Sequence, residues 1–250
     1  LRDQGDGTAE LETVTAGWVK PTGVAGSNLD SIGIAVNERG EIFFGLGCDK
    51  WNEAYRVNPQ TGKSEYNLHS ERGTILKVSR DWKTREIVCT GTRFPVSLAF
   101  NAAGDLFASE QEGATWLPNG NPFDELLHIQ SGRHYGFPPR HPKYLPDVID
   151  EPSTFDFGPQ HQSTCGLHFN DGKKVFGPEW WRGDAFVAGE SRGKIWRVKL
   201  VKTAAGYVAK SDLIACLSML TLDAVPTPQG DMIVCCHSGQ PDWGTGPEGK

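Results

Sequence analysis

An acidic stretch in the middle of the chain carries side chains suited to binding a metal ion. It runs from residues 110–113 (EQEG) through Asp124 and Glu125 to Tyr135. Ca²⁺ takes six to eight oxygens from carboxylates and backbone carbonyls, and a glycine-containing loop such as 118–122 can turn carbonyls inward. The stretch therefore suits a calcium site, with a solvated acidic loop as the alternative. A second oxygen-rich segment lacks the spacing of an EF-hand loop and consists of Asp3, Asp6, Glu10 and Glu12.

His161 is the histidine whose setting best suits acid–base or ligand-binding chemistry, because it lies between Gln160 and Gln162. A structural hydrogen-bonding role is the alternative. His128 falls inside a predicted strand, where packing or hydrogen bonding explains it. The sequence has no H-E-x-x-H zinc motif, no G-x-S-x-G elbow, and no phosphate- or dinucleotide-binding glycine motif between a strand and a helix.

The elements that must position these residues are short strands, because brief apolar runs closed by turn residues repeat along the chain. A unit of strand, glycine turn and strand occurs at 33–44, 97–107 and 223–234, with a broken copy over 165–187. The turn glycines Gly40 and Gly104 lie 64 residues apart, and Gly230 follows after 126, which is two units of 63. The pattern therefore has a fixed period.

Further strands complete each unit: a third recurs over 72–78, 125–129 and 192–198, and a fourth over 85–89. Four short antiparallel strands per repeat predict an all-β protein of the β-propeller type, since a β-sandwich would not explain the period. About four blades account for the 250 residues, and the last unit stops inside a loop. We therefore expect residues 1–250 to be a single propeller domain present as a fragment, with blades missing at one or both ends.

Charge and composition exclude several classes of protein. The net charge of −6 gives no electrostatic reason to bind nucleic acid or an anionic membrane. No apolar run approaches the roughly 18 residues of a membrane span. The six cysteines form no C-x-x-C pair, which disfavours structural zinc. Buried hydrophobic packing is the expected cysteine role, with one or two disulfides as the alternative in an exported protein.

Propeller geometry gathers polar loops at one mouth, because the loops from second to third strand and from blade to blade share one face. Carboxylates and amides bond sugar hydroxyls, and indole rings cover apolar sugar faces. The mouth therefore suits a small polar ligand such as a sugar, with ordinary polar loops as the alternative. The candidate substrate residues are Asp49, Trp51, Trp116 and Gln162. Other mouth residues include Arg93, Glu190 and Arg192.

Several segments resemble the soluble quinoprotein glucose/sorbosone dehydrogenases, a family of six-bladed propellers. They are 92–100 (TRFPVSLAF), 124–138 (DELLHIQSGRHYGFP) and 192–200 (RGKIWRVKL). A divergent branch of secreted planctomycete-type proteins is also similar, at 159–164 (PQHQST) and 242–249 (DWGTGPEG). The resemblance covers nearly the whole chain and implies an oxidoreductase acting on a sugar or polyol, located outside the cytoplasm, with an electron-accepting cytochrome as partner.

The resemblance also implies site residues. It places calcium at Glu112, Gly113, Glu125 and Tyr135. It places the cofactor pyrroloquinoline quinone (PQQ) beside Arg93. Arg192, as a partial substitute for missing anchors, and Glu190, from the mouth, are further cofactor-binding candidates. Arg93, His161 and Asp30 are the candidate catalytic residues, and Asp30 is the one ionisable residue in 27–32, where the family's general-base histidine is expected.

Three cationic anchors of the family fall on uncharged residues here, namely Ser191, Leu220 and Leu222. PQQ carries three carboxylates, so the loss of these charges predicts weak quinone binding. Two other functions therefore stay open beside the dehydrogenase. One is a calcium-dependent lactonase or hydrolase with His161 or a carboxylate as base, and the other is a non-catalytic propeller that binds carbohydrate or protein.

Overall fold

The computed structural model describes residues 1–18, 31–48, 58–63, 67–112, 123–137, 148–158, 161–191 and 193–237. Within these residues the protein is all-β, apart from a single 3-10 turn at Glu179–Trp181. None of the described segments is a helix long and apolar enough to cross a membrane.

The described strands form antiparallel sheets that follow chain order. The first four-stranded sheet contains β3 (Ser31–Val36), β4 (Ile42–Leu46), β5 (Thr74–Val78) and β6 (Arg85–Thr90). The second contains β7 (Pro95–Phe100), β8 (Leu106–Glu110), β9 (Asp124–His128) and β10 (Phe155–Phe157). The third contains β11 (Thr164–Phe169), β12 (Ala185–Gly189), β13 (Lys194–Thr203) and β14 (Gly206–Cys216). A two-stranded sheet of β15 (Leu220–Pro226) and β16 (Met232–His237) follows, and β1 (Arg2–Asp3) pairs with β2 (Ala9–Glu10) near the start.

Glycine makes the first hairpin of each sheet possible. Gly40, Gly104 and Gly230 have φ values of 77°, 78° and 90°, and Gly183 before β12 has 78°. This left-handed region is open to glycine without the steric cost that a Cβ atom adds. The periodic turn glycines of the sequence therefore mark the same turn in successive blades, as predicted.

The sheets pack in sequence through their first strands, since β3 contacts β7, β7 contacts β11, and β11 contacts β15. Apolar clusters fill the layers between neighbouring sheets, with Leu98 in the first layer and Leu167 in the next. Successive sheets joined in this way form the blades of a propeller. The predicted fold class is confirmed, with three complete blades and the first hairpin of a fourth among the described residues.

The inner strand of the first blade has a different environment. Ile34 is 65% exposed, whereas Leu98 and Leu167, which occupy the equivalent place in the pairing of first and second strands, are 5% and 0% exposed. In the second and third blades, this position packs against the preceding blade. The apolar face of β3 is thus the surface that a neighbouring blade covers elsewhere in the molecule. The single-domain assignment of 1–250 stays a prediction.

Candidate functional site

Three connections on one face of the propeller bring the polar residues together. β8 ends at Glu110, and its loop leads to Asp124 at the start of β9. The connection into β11 carries His161, and the short loop from β12 to β13 begins at Glu190. The second-to-third loops and the blade-to-blade connections therefore share a mouth, because antiparallel strands return the chain to the same edge of each sheet.

Asp124 is the centre of the site. It is 0% exposed, and its Oδ1 atom accepts the backbone N–H of Glu112 at 2.9 Å. Its Oδ2 atom accepts the backbone N–H of Gln162 at 2.8 Å. A buried carboxylate must be paired and hydrogen-bonded to remain ionised. Asp124 thereby ties the loop after β8 to the connection before β11.

His161 has a partner at each ring nitrogen. Nδ1 lies 3.0 Å from Asp124 Oδ1 and 2.9 Å from Oδ2, while Nε2 lies 2.9 Å from the hydroxyl oxygen of Ser163. The imidazole side chain is 25% exposed, whereas Asp124 is fully buried. A carboxylate bonded to Nδ1 fixes the orientation of the ring and leaves Nε2 as the proton acceptor, which suits a general base.

Ser163 belongs to the site although no sequence motif identified it. It is 2% exposed, and its φ of 50° lies in the left-handed region, which is uncommon for a residue other than glycine. Its carbonyl accepts the N–H of Glu190 at 3.0 Å, and the Ser191 hydroxyl lies 3.4 Å from its own. The sequence shows only a serine two residues after a mouth histidine. This spacing does not indicate a site unless the contact between His161 and Asp124, which comes from a different connection, is known.

A cluster of buried carboxylates lies beside Asp124. Glu110 is 1% exposed, and its Oε1 atom accepts the backbone N–H groups of Arg93 and Phe94, both at 2.6 Å. Glu125 lies directly opposite Glu110 in the pairing of β8 with β9. Among the described residues, the Oε2 atoms of Glu110 and Glu125 are buried without a hydrogen-bond partner. Two unpartnered oxygens of this kind need a proton or a cation.

Burial shifts the acidities of this cluster upward. Desolvation, then the charge of Glu112, raises the pKa of Glu110 and of Glu125 well above the ordinary glutamate range. Desolvation also raises the pKa of Glu112 to about 8, although Arg93 acts in the opposite direction. Like charges in a dry site cannot all ionise unless a cation joins them.

The predicted calcium ligands are only partly brought together. The charge of Glu112 raises the pKa of Glu125, which puts the two side chains in one region, and Gly113 lies outside the described residues. The hydroxyl of Tyr135 instead donates to the carbonyl of His128 at 2.5 Å and accepts the N–H of Gln130 at 2.7 Å. No three His, Cys, Asp or Glu side chains in the described part of the chain converge as metal ligands.

The predicted cofactor residues have varied surroundings. Arg93 is 6% exposed and donates from Nη1 to the carbonyl of Gln111 at 2.8 Å. Gln162 is buried, and its Oε1 atom accepts from Lys194 at 2.5 Å. The predictions for Asp30, Asp49, Trp51, Trp116 and Arg192 fall outside the described residues.

The cysteines match the expectation of buried packing in part. All six are free thiols. Cys48, Cys89 and Cys165 are buried, whereas Cys216 and Cys235 are exposed. The alternative of one or two disulfides within the chain is therefore not realised in this structure.

Comparison with known proteins finds no matching family model and no matching curated protein. Solved structures do match. An oxidoreductase from Thermus thermophilus described as a glucose dehydrogenase aligns with a TM-score of 0.63 and 22% identity, over 88% of this chain and 62% of that one. The soluble aldose sugar dehydrogenase of Escherichia coli in its apo-form gives 0.59 and 16%, over 83% and 62%. The PQQ-bound aldose sugar dehydrogenase of Streptomyces coelicolor gives 0.59 and 18%, over 86% and 56%.

The chain therefore has the β-propeller fold of the soluble glucose and aldose sugar dehydrogenases, as the sequence resemblance implied. It spans about three fifths of the length of the solved structures it matches first. The similarity to the planctomycete-type branch stays a prediction.

Proposed function

We propose that this propeller is an oxidoreductase of the sugar dehydrogenase type, and that His161 takes the proton from a sugar or polyol hydroxyl bound at the mouth. The observation that carries the proposal is the buried Asp124 carboxylate 3.0 Å from Nδ1 of a partly exposed histidine. This pair sits on the mouth of a fold shared with glucose and aldose sugar dehydrogenases. The resemblance at 92–100 and 124–138 supports the same activity.

The residues of this chain define the path of the proton. Asp124 keeps the imidazole oriented, so Nε2 is the atom that accepts. Nε2 faces the Ser163 hydroxyl, and a substrate proton therefore passes to Ser163 Oγ as Ser163 releases its own proton to His161. These two proton transfers would leave a substrate alkoxide and a protonated His161 beside Asp124. The oxidation is complete when the alkoxide carbon gives up a hydride, that is two electrons and a proton, to a two-electron acceptor supplied from outside the described residues.

PQQ does not fit the described part of the mouth. The positions of its expected cationic partners hold Ser191 and Leu220, which are 8% and 1% exposed, and Leu222 on β15. Arg93 is buried beside Glu112 and bonded to a backbone carbonyl. These residues offer little counter-charge for three carboxylates, so no step is routed through PQQ here, and weak quinone binding stays our expectation.

The buried carboxylates supply the negative charge that a calcium ion requires, but they supply only part of its six to eight oxygen ligands. Glu112 and Glu125 bring two carboxylates into one buried region, and the unpartnered Oε2 of Glu125 is the atom available to a cation. Backbone carbonyls, including those at Gly113 and Tyr135, would have to complete a shell of six to eight oxygens. We include these four residues in the proposal as the calcium site.

Calcium titration followed by thermal melting tests this site in the full-length protein. A cation that binds only the folded form stabilises it by about 2.7 kcal/mol at a hundredfold excess over Kd. Calcium should therefore raise the melting temperature by several degrees, and Glu125→Gln should remove the rise. Glu86→Gln is the matched control, because Glu86 is exposed on β6 and forms an ion pair with Lys77. No rise at millimolar calcium would reject the site.

The oxidoreductase activity is tested by dye reduction across a panel of aldoses and polyols, with excess calcium and PQQ supplied to the full-length protein. His161→Gln should abolish the reduction. His168→Gln is the control, since His168 is also partly exposed and bonded to an aspartate, with Nε2 2.9 Å from Asp223 Oδ1. His168 lies four residues after Thr164, the mouth end of β11, and is therefore away from the mouth. If no substrate supports reduction with PQQ or with any other quinone or dye acceptor supplied in excess, the proposal fails.

The remaining expectations follow from the same resemblance. They are a location outside the cytoplasm and an electron-accepting cytochrome. Fractionation of cells expressing the full-length protein tests the first, with a purely cytoplasmic pool as the contrary result. Reduction of an added cytochrome during sugar turnover tests the second. Sugar binding without turnover of any kind would favour the alternative of a non-catalytic carbohydrate-binding propeller.

A further inference from the structure

Ser163, His161 and Asp124 form a continuous hydrogen-bonded series. The Ser163 hydroxyl lies 2.9 Å from His161 Nε2, and His161 Nδ1 lies 3.0 Å from a fully buried Asp124. A nucleophile bonded to a base, with the base oriented by a third group, is the arrangement that activates a serine. Such a series is recognised by geometry and not by sequence order.

We propose that Ser163 is a catalytic nucleophile and that the mouth hydrolyses acetyl esters of a sugar or polyol. The acetyl part of this inference stands on the geometry around Ser163. The sugar part rests on the proposed function, which supplies the expectation that the mouth binds polyols.

The backbone at Ser163 is held in a shape that directs its hydroxyl at the histidine. Its φ of 50° is costly for a side chain with a Cβ atom, of the order of 1–3 kcal/mol, and persists where the surroundings impose it. The Ser163 carbonyl is fixed by the Glu190 N–H at 3.0 Å and the Cys165 thiol at 3.3 Å. Strain of this kind at a polar residue in a mouth motivates a functional role.

The position of His161 leaves it a specific proton to remove. Nδ1 is engaged by Asp124, so Nε2 is the acceptor, and the hydroxyl it faces is that of Ser163. Deprotonation of Ser163 produces an alkoxide-like nucleophile beside a histidine that can hold the proton. The Ser191 hydroxyl, which donates to Ser163 Oγ at 3.4 Å, is our candidate donor for the charge that develops on the acyl oxygen.

The reaction balances with water as the co-reactant. Ser163 Oγ bonds to the acetyl carbon as its proton moves to His161 Nε2, and the ester C–O bond breaks as that proton passes to the departing alcohol. Water then attacks the acetyl-serine, gives a proton to His161, and releases acetate as the proton returns to Ser163 Oγ. The net change is ester plus water to alcohol plus acetic acid, without an oxidant or reductant.

The burial of Ser163 sets the acyl group. Ser163 is 2% exposed and Ser191 beside it is 8% exposed, so we infer that little room is left for an acyl chain at the hydroxyl. Acetyl is the smallest common acyl group, so acetyl esters should be cleaved in preference to butyryl and longer esters. The polar mouth outside favours an alcohol portion rich in hydroxyls.

The experiment is hydrolysis of p-nitrophenyl acetate and p-nitrophenyl butyrate by the full-length protein, with acetylated monosaccharides assayed by acetate release. We expect turnover of the acetate ester, at least tenfold weaker turnover of the butyrate ester, and an acetyl group on the peptide containing Ser163 after a rapid quench. Ser163→Gly should lower kcat by about 10³-fold or more. Glycine tolerates the positive φ, so this variant keeps the backbone relaxed.

The matched control is Ser97→Ala, because Ser97 Oγ accepts the Leu167 N–H at 3.2 Å away from this series. It should retain full esterase activity. Ester hydrolysis that survives in Ser163→Gly, or wild-type turnover equal to that of His161→Ala, would overturn the inference. Cleavage of p-nitrophenyl acetate without cleavage of acetylated sugars would support Ser163 as the nucleophile and would reject a sugar as the alcohol portion of the ester. These assays contain no electron acceptor, so their failure is separable from failure of the dehydrogenase proposal.

Discussion

Replacement of Asp124 by asparagine is the sharpest test of the site, because one buried carboxylate holds two loops and a histidine. Asp124 accepts backbone N–H groups from Glu112 at 2.9 Å and Gln162 at 2.8 Å, one on each oxygen. Asparagine has a single acceptor oxygen. Whichever way its amide turns, its NH₂ group faces one of those N–H donors.

The magnitude follows from what is lost. Charge-assisted hydrogen bonds contribute roughly 1.5–3 kcal/mol each, and a buried N–H left unpaired costs about 1–3 kcal/mol. Asp124→Asn should therefore lower the free energy of unfolding by about 4 kcal/mol. For a domain of this size each kcal/mol corresponds to a melting shift of roughly 2–4 °C, so the expected decrease is about 8–16 °C.

The assay is thermal melting of the full-length protein, followed by the ester and dye-reduction assays at a temperature where the variant is folded. Asp156→Asn is the control, since this exposed carboxylate lies on the neighbouring strand β10 and accepts from Ser153. Its stability should change by less than about 0.5 kcal/mol. Activity should fall about 10²–10⁴-fold in Asp124→Asn, because the tautomer and orientation of His161 are no longer fixed.

A melting temperature within about 2 °C of the wild type would refute the reasoning, since a carboxylate that can be lost with so little effect does not organise the loops. Normal stability with normal activity would also reject Asp124 as the residue that positions His161. Restoration of stability and activity by Asp124→Glu is not expected, because the longer side chain displaces both oxygens from their donors.

The other predictions concern acidity, thiols and backbone shape. Burial raises the pKa of Glu112 to about 8 from an ordinary value of 4.5, so the folded form holds a proton that the unfolded chain releases. Without calcium, stability should therefore fall as pH rises from about 4.5 to 8, and Glu112→Gln should flatten that slope in pH-dependent urea unfolding. Burial also raises the pKa of Cys89 and Cys165 to about 12. A thiol reagent at about pH 8 should therefore label the exposed Cys216 and Cys235 first. Fast labelling of all six cysteines would contradict the packing. Gly91→Ala should lower the free energy of unfolding by more than about 2 kcal/mol, because the φ of Gly91 is 80° and an added Cβ atom would lie 2.5 Å from the backbone nitrogen of Tyr135. An unchanged midpoint of urea unfolding would show that this turn is not constrained.

The sequence alone determined the blade, because its signals are local. Apolar runs of about five residues, and a glycine at each first turn, specify strand pairs without reference to the rest of the chain. Gly40, Gly104 and Gly230 lie at the turns that their spacing predicted, and all three have a positive φ. The mouth also followed from sequence, since the order of strands in a blade decides which loops share a face. His161 was identified as a residue of one of those loops, beside Gln160 and Gln162, whereas the acidic stretch from Glu110 to Tyr135 was identified from its composition.

The tertiary structure decided which of these residues meet. Asp124 and His161 are 37 positions apart and belong to different connections, and no spacing rule predicts that a carboxylate at the start of β9 bonds a histidine before β11. Tyr135, ten residues from Glu125 in sequence, directs its hydroxyl to the backbone of His128 and Gln130 because it packs in the layer between two blades. Ser163 carried no motif, and its positive φ and bond to His161 arise from contacts with the neighbouring loop at Glu190. Strands form from interactions along and between adjacent segments, whereas a site at a propeller mouth forms from loops that only the radial packing of separate blades brings within hydrogen-bonding distance.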